Sequence, residues 1–235
     1  MGIFDNVKKD KTVEEDRAGV TLLESAIYDA TIKCAYLEPI GEKRSQKMIV
    51  ILKVKDKELT DEEVVLNTEG SNTCKKDPNK LLPGFLKMNA LVYLASNGQE
   101  LDSISFEEKD IKIYNRKERA EQVVRRQVAT GLIGRPVKVG IQHAKLSRQQ
   151  QQSGVWVDTD KTYETNVVDK YFDTTGRTHA ESVAAKEPEF IHTWKNKFMG
   201  KVVDKTSKKA VPWIEPTGVS GSVTTATKSI FDQNK

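Results

Sequence analysis

Ile27-Tyr28-Asp29-Ala30-Thr31-Ile32-Lys33-Cys34-Ala35-Tyr36-Leu37 decides the fold class, because its side chains alternate. Tyr28, Ala30, Ile32, Cys34 and Tyr36 fall on one side, with Asp29, Thr31 and Lys33 on the other. A period of two over this length predicts a strand with one buried face. After the loop Glu38-Pro39-Ile40-Gly41-Glu42-Lys43-Arg44, a second run sets Met48, Val50, Leu52 and Val54 against Ile49, Ile51, Lys53 and Lys55. The two runs read as a hairpin. Glu62 to Asn67 supplies a third strand around Val64, Val65 and Leu66, and the Asn-, Thr-, Lys- and Pro-containing stretch Thr68 to Lys80 reads as a long loop.

Beyond that loop, Pro83-Gly84 precedes Phe85, Leu86, Asn89, Leu91, Val92, Leu94 and Ala95, whose three-and-four spacing predicts a helix stopped by Asn97-Gly98. Strand patterns return at Ile111-Lys112-Ile113-Tyr114 and at Val137-Lys138-Val139-Gly140-Ile141. Between them, Ala120 to Ala129 fits helix or strand, since Val123, Val124 and Val128 satisfy either period. The run Gln149 to Gln152 reads as the end of a polar loop, with Gly154 to Val157 and Asn166 to Phe172 forming a last hairpin. From Thr178 the chain reads as helical, with Phe190, Ile191, Trp194 and Phe198 on one stripe. Residues 1–20 read as a flexible arm and 201–235 as a flexible tail, because each mixes charge and small polar residues with few large apolar ones. The expected organisation is a mostly β domain over 21–172, a helical extension over 173–200 and two flexible ends, with no repeat of fixed period.

Composition excludes several classes. A chain of 235 residues with 37% hydrophobic and 31% charged residues supports a modest core under a heavily solvated surface. Cys34 and Cys74 are its only cysteines, which predicts a protein of a reducing compartment. No apolar run approaches the roughly 18 residues of a membrane helix, the longest ending at Lys53. Zinc sites want closely paired Cys or His ligands, and His143, His179 and His192 are scattered. The backbone devices of acyl transfer, P-loop phosphoryl transfer and dinucleotide binding are missing as well. Asp102, Glu107 and Lys109 form an acid-acid-lysine set of the kind that holds a divalent ion in nucleases, an alternative that predicts magnesium-dependent cleavage.

Charge is segregated along the chain. Residues 111–148 hold ten basic side chains and two acidic ones, a local balance of +8, which leaves −4 for the rest of a molecule whose net charge is +4. Clustered cations release counterions from phosphates on contact, so the block predicts a polyanion surface. Aromatic residues lie beside it: Tyr114 precedes Arg116, Lys117 and Arg119; Tyr36 borders the Lys43-Arg44-Lys47 loop; Trp156 follows Arg148. Rings that stack bases beside cations that track a backbone are what single strands need. Candidate phosphate contacts are Lys33, Lys43, Arg44, Lys47, Lys53 and Lys55 from the first hairpin, and Arg116, Lys117, Arg119, Arg125, Arg126, Arg135, Lys138, Lys145 and Arg148 from the block. Tyr36, Tyr114 and Trp156 are the candidate stacking rings. The other reading of the same pattern is a non-catalytic replisome or transcription accessory protein, whose basic block meets an acidic protein surface.

Four strings, in this order and spacing, carry a resemblance: Ile27 to Leu37; Leu82-Pro83-Gly84-Phe85 with Asn89-Ala90-Leu91; Leu132-Ile133-Gly134-Arg135-Pro136-Val137-Lys138-Val139; and Lys228-Ser229-Ile230-Phe231. Over residues 20–200 and the last string, the chain resembles the single-stranded DNA-binding proteins of tailed bacteriophages. That resemblance implies a β-barrel of oligonucleotide-binding (OB) type with one or two inserted helices, which coats single strands during phage DNA replication and recombination without catalysis or cofactor. It also implies the cytoplasm of an infected bacterial host, and partners among phage polymerases and recombination proteins contacted through the tail, with Ile230 and Phe231 as an apolar hook. One departure stands out. Members of the family commonly end in an acidic tail, whereas residues 200–235 here hold six Lys against three Asp or Glu.

Overall fold

A computed structural model describes residues 21–115, 118 and 120–214. Among these residues ten strands and three α-helices follow one another: β1 (Ala26–Pro39), β2 (Gln46–Val54), β3 (Lys57–Leu66), β4 (Thr73–Cys74), β5 (Asp77–Leu81), α1 (Pro83–Ala95), β6 (Glu107–Asn115), β7 (Ala120–Val128), β8 (Pro136–Gln152), β9 (Val155–Phe172), α2 (His179–Val183), α3 (Phe190–Phe198) and β10 (Val202–Asp204). The molecule is mostly β, as the period-two runs require. Eight strands form one sheet around β1, and β4 pairs with β5 inside the stretch expected to be a loop. Ala120 to Val128, open between helix and strand on sequence alone, is strand β7.

β1 is long enough to serve three neighbours. One edge pairs antiparallel with β2; the other pairs with β8 over residues 26–31 and with β7 at Tyr36 and Leu37. A bulge makes this possible: Ile32 faces Leu52 and Cys34 faces Ile51, leaving Lys33 as the extra residue. The bulge reverses the alternation. Ala30 and Ile32 enter the main core before it and Ala35 after it, while Cys34 and Tyr36 turn to the opposite face. The single apolar face expected from Tyr28 through Tyr36 is therefore split between two clusters.

The main core lies between the inner sheet face and α1. Met48, Val50, Leu52 and Val54 of β2 and Val137, Val139 and Ile141 of β8 meet Phe85, Met88, Leu91 and Val92 of the helix. α1 starts at Pro83, whose missing N–H costs nothing at that position. Gly84 follows because a Cβ there would stand 2.4 Å from the Val64 carbonyl oxygen, so only glycine lets the helix seat on β3.

The expected barrel does not close. β3 and β9 share no ladder, and the seam between them is covered by α1 and bridged by side chains. The Tyr171 hydroxyl donates to Asp61 Oδ2 at 2.6 Å; Lys87 Nζ donates to Asp61 Oδ1 at 2.7 Å and to Glu63 Oε1 at 2.9 Å. Burial raises the Asp61 carboxyl against the pull of Lys87 and Tyr171. It also pushes the Tyr171 hydroxyl well above its ordinary value, with the Asp61 charge acting in the same direction. Polar side chains thus stand where a closed barrel would carry backbone pairs.

The outer face has two covers. α3 lays Trp194 and Ile191 over Phe172, with the indole against Gly140, where a Cβ would lie 2.9 Å from the ring, and its N–H on Asp169 at 2.7 Å. The β6–β7 hairpin covers the other half. Past α3, the residues expected to start a flexible tail rejoin the fold: β10 pairs parallel with His143 to Lys145 of β8. Residues 205–214 then run on to β9 as a strap, with Val211 bridged to Thr159. Ile230 and Phe231 lie outside the described residues, as does the arm 1–20.

Candidate nucleic-acid interface

Two hairpins extend from the sheet and carry the exposed aromatic candidates. β6 and β7 pair over nine positions, from Glu107 with Val128 to Asn115 with Ala120. One face of this arm is apolar: Ile111 and Ile113 pack, with Val128, on Cys34, Tyr36, Ile49 and Ile51. The other face is open. There Lys112 stands opposite Val123, Tyr114 opposite Glu121 and Arg125 opposite Asp110, with Tyr114 61% and Val123 64% exposed. Arg125 Nε lies 3.2 Å from Glu108. Arg116, Lys117 and Arg119, which follow Tyr114 in sequence, lie outside the described residues.

The same packing removes Tyr36 from the stacking candidates. The bulge turns its ring under the β6–β7 arm, and it is 4% exposed, so no base can reach its face. Burial, with Glu38 adding to it, raises the Tyr36 hydroxyl, and burial likewise pushes the Cys34 thiol up, which leaves both groups neutral. The ring read as bordering a cationic loop is a structural one.

The second arm is the outer part of β8–β9, turned by Ser153 and Gly154, both at positive φ, as a two-residue type I′ turn needs. Gln149 to Gln152, expected in a loop, pair with Val155 to Asp158 as strand. Trp156 faces Gln151 across the ribbon and is 51% exposed. Arg148 is exposed at a bulge where Thr159 to Lys161 oppose it alone, and its carbonyl takes the Thr159 hydroxyl at 2.7 Å. The strap secures the arm: Lys205 N–H donates to the Lys145 carbonyl at 2.9 Å, and the Gln150 side chain both donates to the Ile214 carbonyl at 2.6 Å and accepts its N–H at 3.0 Å. Lys145 lies near Asp204, whose carboxyl Thr206 first, and then Lys145, hold below its usual range.

The remaining candidates spread over the surface. Lys47 bridges Glu38 at 2.9 Å and Glu62 at 3.0 Å, and Arg126 reaches the same Glu38 at 3.3 Å. Lys33 pairs with Glu58 at 2.5 Å and Lys138 with Asp29 at 2.6 Å. An exposed pair such as Lys33–Glu58 is worth about 0–1 kcal/mol, so a phosphate displaces that carboxylate at small cost, whereas Lys47, Arg126 and Glu38 are half-buried. Lys53 is exposed on the outer sheet row, Lys43 and Arg44 in the β1–β2 loop. Lys55 Nζ sits 4.9 Å above the Tyr28 ring, and exposed Arg135 donates through Nε to the Gly131 carbonyl at 3.2 Å. Of the ten cations of residues 111–148, the seven among the described residues are thus divided between two arms and the start of β8. Lys112 belongs with the candidates; its spacing of two from Tyr114 is the sequence signal for a shared face.

The acid-acid-lysine set is dispersed in small contacts: Glu107 accepts from Lys109 at 3.1 Å and Thr130 at 2.9 Å, and Asp102 from the Ser103 hydroxyl at 3.1 Å. Among the described residues no group of three or more His, Cys, Asp or Glu is placed to hold a metal ion, and no helix is long and apolar enough to cross a membrane. Compared with known proteins, the sequence matches no family model and no curated relative.

Proposed function

We propose that this chain binds single-stranded DNA with little sequence preference and coats it during phage DNA replication and recombination, without catalysis, in the cytoplasm of the infected host. The observation that carries the reading is Tyr114: exposed, on the same face as Lys112 of an arm whose opposite face is anchored, and followed in sequence by Arg116-Lys117-Glu118-Arg119. A ring held on a fixed ribbon stacks a base at small entropic cost, while the neighbouring cations neutralise phosphates on either side. Trp156 repeats the combination on the second arm, with Arg148 eight residues earlier.

Anisotropy of a labelled oligo-dT at two salt concentrations, with unlabelled duplex as competitor, tests this. Neutralising about five phosphates gives a log–log slope near −3.5, at roughly 0.7 per single-strand contact. Salt-independent affinity, or complete displacement by duplex, would refute it.

A second reading has its own observation. Val155, Trp156 and Ile214 are exposed large apolar residues, and Gln150, within the same arm, holds the Ile214 backbone. Exposed apolar side chains on and beside one arm suit a protein partner, such as a polymerase or recombination protein. Quenching of tryptophan emission by oligonucleotide supports DNA contact at Trp156; unchanged emission supports the partner surface.

A further inference from the structure

The string Ile-Phe-Asp occurs twice in the chain, as Ile3-Phe4-Asp5 before the described fold and as Ile230-Phe231-Asp232 after it. Two of the seven phenylalanines therefore stand between an isoleucine and an aspartate. Covering such an apolar side chain is worth about 1.5–3 kcal/mol, and a receptor for the string needs an apolar wall with a cation beside it.

A cleft of that chemistry, about 310 Å³, lies where α3 crosses the outer face of β1 and β8. Ile27, Tyr28 and Ile191 supply apolar wall; Lys138 and Lys195 stand at its edge with His192. Asp29 already pairs with Lys138, whereas Lys195 has no carboxylate partner among the described residues. The cleft thus offers an aspartate a cation beside an apolar wall.

Chain length selects the occupant. The backbone of Leu23 is pinned to Asn166, six residues along β9 from Phe172, which pairs with Lys138; that is about 20 Å. The nineteen residues from Phe4 to Leu23 reach at most about 65 Å, so the span is covered with ample slack. Ile214, by contrast, is held at Gln150, twelve residues along β8 from Lys138 or about 40 Å. The sixteen residues to Ile230 reach at most about 55 Å, which leaves little slack.

We propose that this cleft is the docking site of the Ile-Phe-Asp segment, with Ile3-Phe4-Asp5 of the same chain placing Phe4 against Ile27 and Ile191 and Asp5 against Lys195. The copy at Ile230 to Asp232 has the same chemistry and competes for the cleft of a neighbouring molecule.

The test uses the full-length chain and a labelled peptide of residues 227–235. Phe4→Ala empties the cleft, so the peptide binds this variant saturably and about tenfold or more tighter than the unchanged chain, because a tethered competitor acts at millimolar effective concentration. Lys195→Glu, a surface change added to Phe4→Ala, weakens the peptide at least about tenfold, and a peptide carrying Asp232→Lys recovers affinity on it. Absence of saturable binding to the Phe4→Ala chain, equal binding to the unchanged chain, or indifference to Lys195→Glu each overturns the proposal.

Discussion

The β6–β7 and β8–β9 arms are both two-stranded ribbons, a form barely stable by itself, and they are held by different forces. The first is held through its face, where Ile111 and Ile113 bury against Tyr36 and Ile49. The second is held through its edges: the strap bonds the Lys145 and Asp158 carbonyls, the Asp160 N–H and the Gln150 side chain. Face anchoring leaves the opposite face free along its whole length, and Tyr114 and Lys112 lie there. Edge anchoring shields backbone groups that would otherwise pair with another chain, and leaves Trp156 exposed near the turn. A nucleic acid would therefore meet the first arm along a surface and the second near its end.

The largest effect is expected where neither arm is involved. Lys87→Met leaves Asp61 and Glu63 at the β3–β9 seam without their cation, and breaking a buried pair costs about 3–5 kcal/mol. Denaturant unfolding followed by hydrogen exchange should show both arms losing protection together. Exchange confined to one arm would place the seam outside the shared core. The pH dependence follows the same network. Burial lowers the Lys87 ammonium, but Asp61 and Glu63 more than offset it, so its folded value lies above the ordinary 10.5. The resulting stability is fully present below the unfolded value and is lost as pH rises through the higher folded one. Tyr171, also raised, adds to this alkaline loss. The Lys87→Met protein should lack the lysine part of that loss.

Tyr36→Ala separates the arms. Removing a ring that is 4% exposed costs about 3 kcal/mol, and the exchange increase should concentrate in residues 107–128 while the strap-bound arm keeps its protection. Loss of DNA affinity with unchanged stability would instead return Tyr36 to the role its sequence position suggests.

Much of this contrast is not legible in the sequence. Periodicity locates β1, β2 and α1, because each has one apolar repeat over enough residues to count. It misses the Lys33 bulge, since β1 carries apolar residues on both faces beyond Ile32 and either register looks satisfied. The seam is hidden for a related reason. Asp61, Glu63 and Lys87 resemble surface charge until α1 folds onto β3. The strap begins with charged and small polar residues, and its order comes from partners more than fifty residues away, as with Ser207 on Ser147 and Trp213 on Asp160. Charge segregation reads correctly as a sum over residues 111–148 but not as one patch, because alternate residues of a ribbon face opposite ways and Glu38 takes up Arg126.

Stacking distinguishes the open faces. Tyr114→Ala and Trp156→Ala should each leave stability unchanged, and each should weaken oligo-dT by about 1–3 kcal/mol if its arm carries a base. An effect at Tyr114 alone confines DNA to the face-anchored arm and leaves Trp156 to a protein partner. No effect at either removes stacking from the proposed mechanism.

The smallest effect tests the edge anchor itself. Gln150 acts as a piece of backbone, its amide giving and receiving one hydrogen bond with Ile214. A net hydrogen bond is worth about 0.5–1.5 kcal/mol, and these are exposed, so Gln150→Ala should cost about 1 kcal/mol locally. Global unfolding should not register it, because the strap keeps its bonds at Val211 and Lys205. Exchange at the Ile214 amide should rise severalfold while the Val211 amide stays protected. If Val211 opens as well, the strap releases as one unit and the second arm depends on its far end. If Ile214 does not change, the Ala210-Val211-Pro212 segment alone fixes the strap, and Gln150 belongs to the arm's free surface.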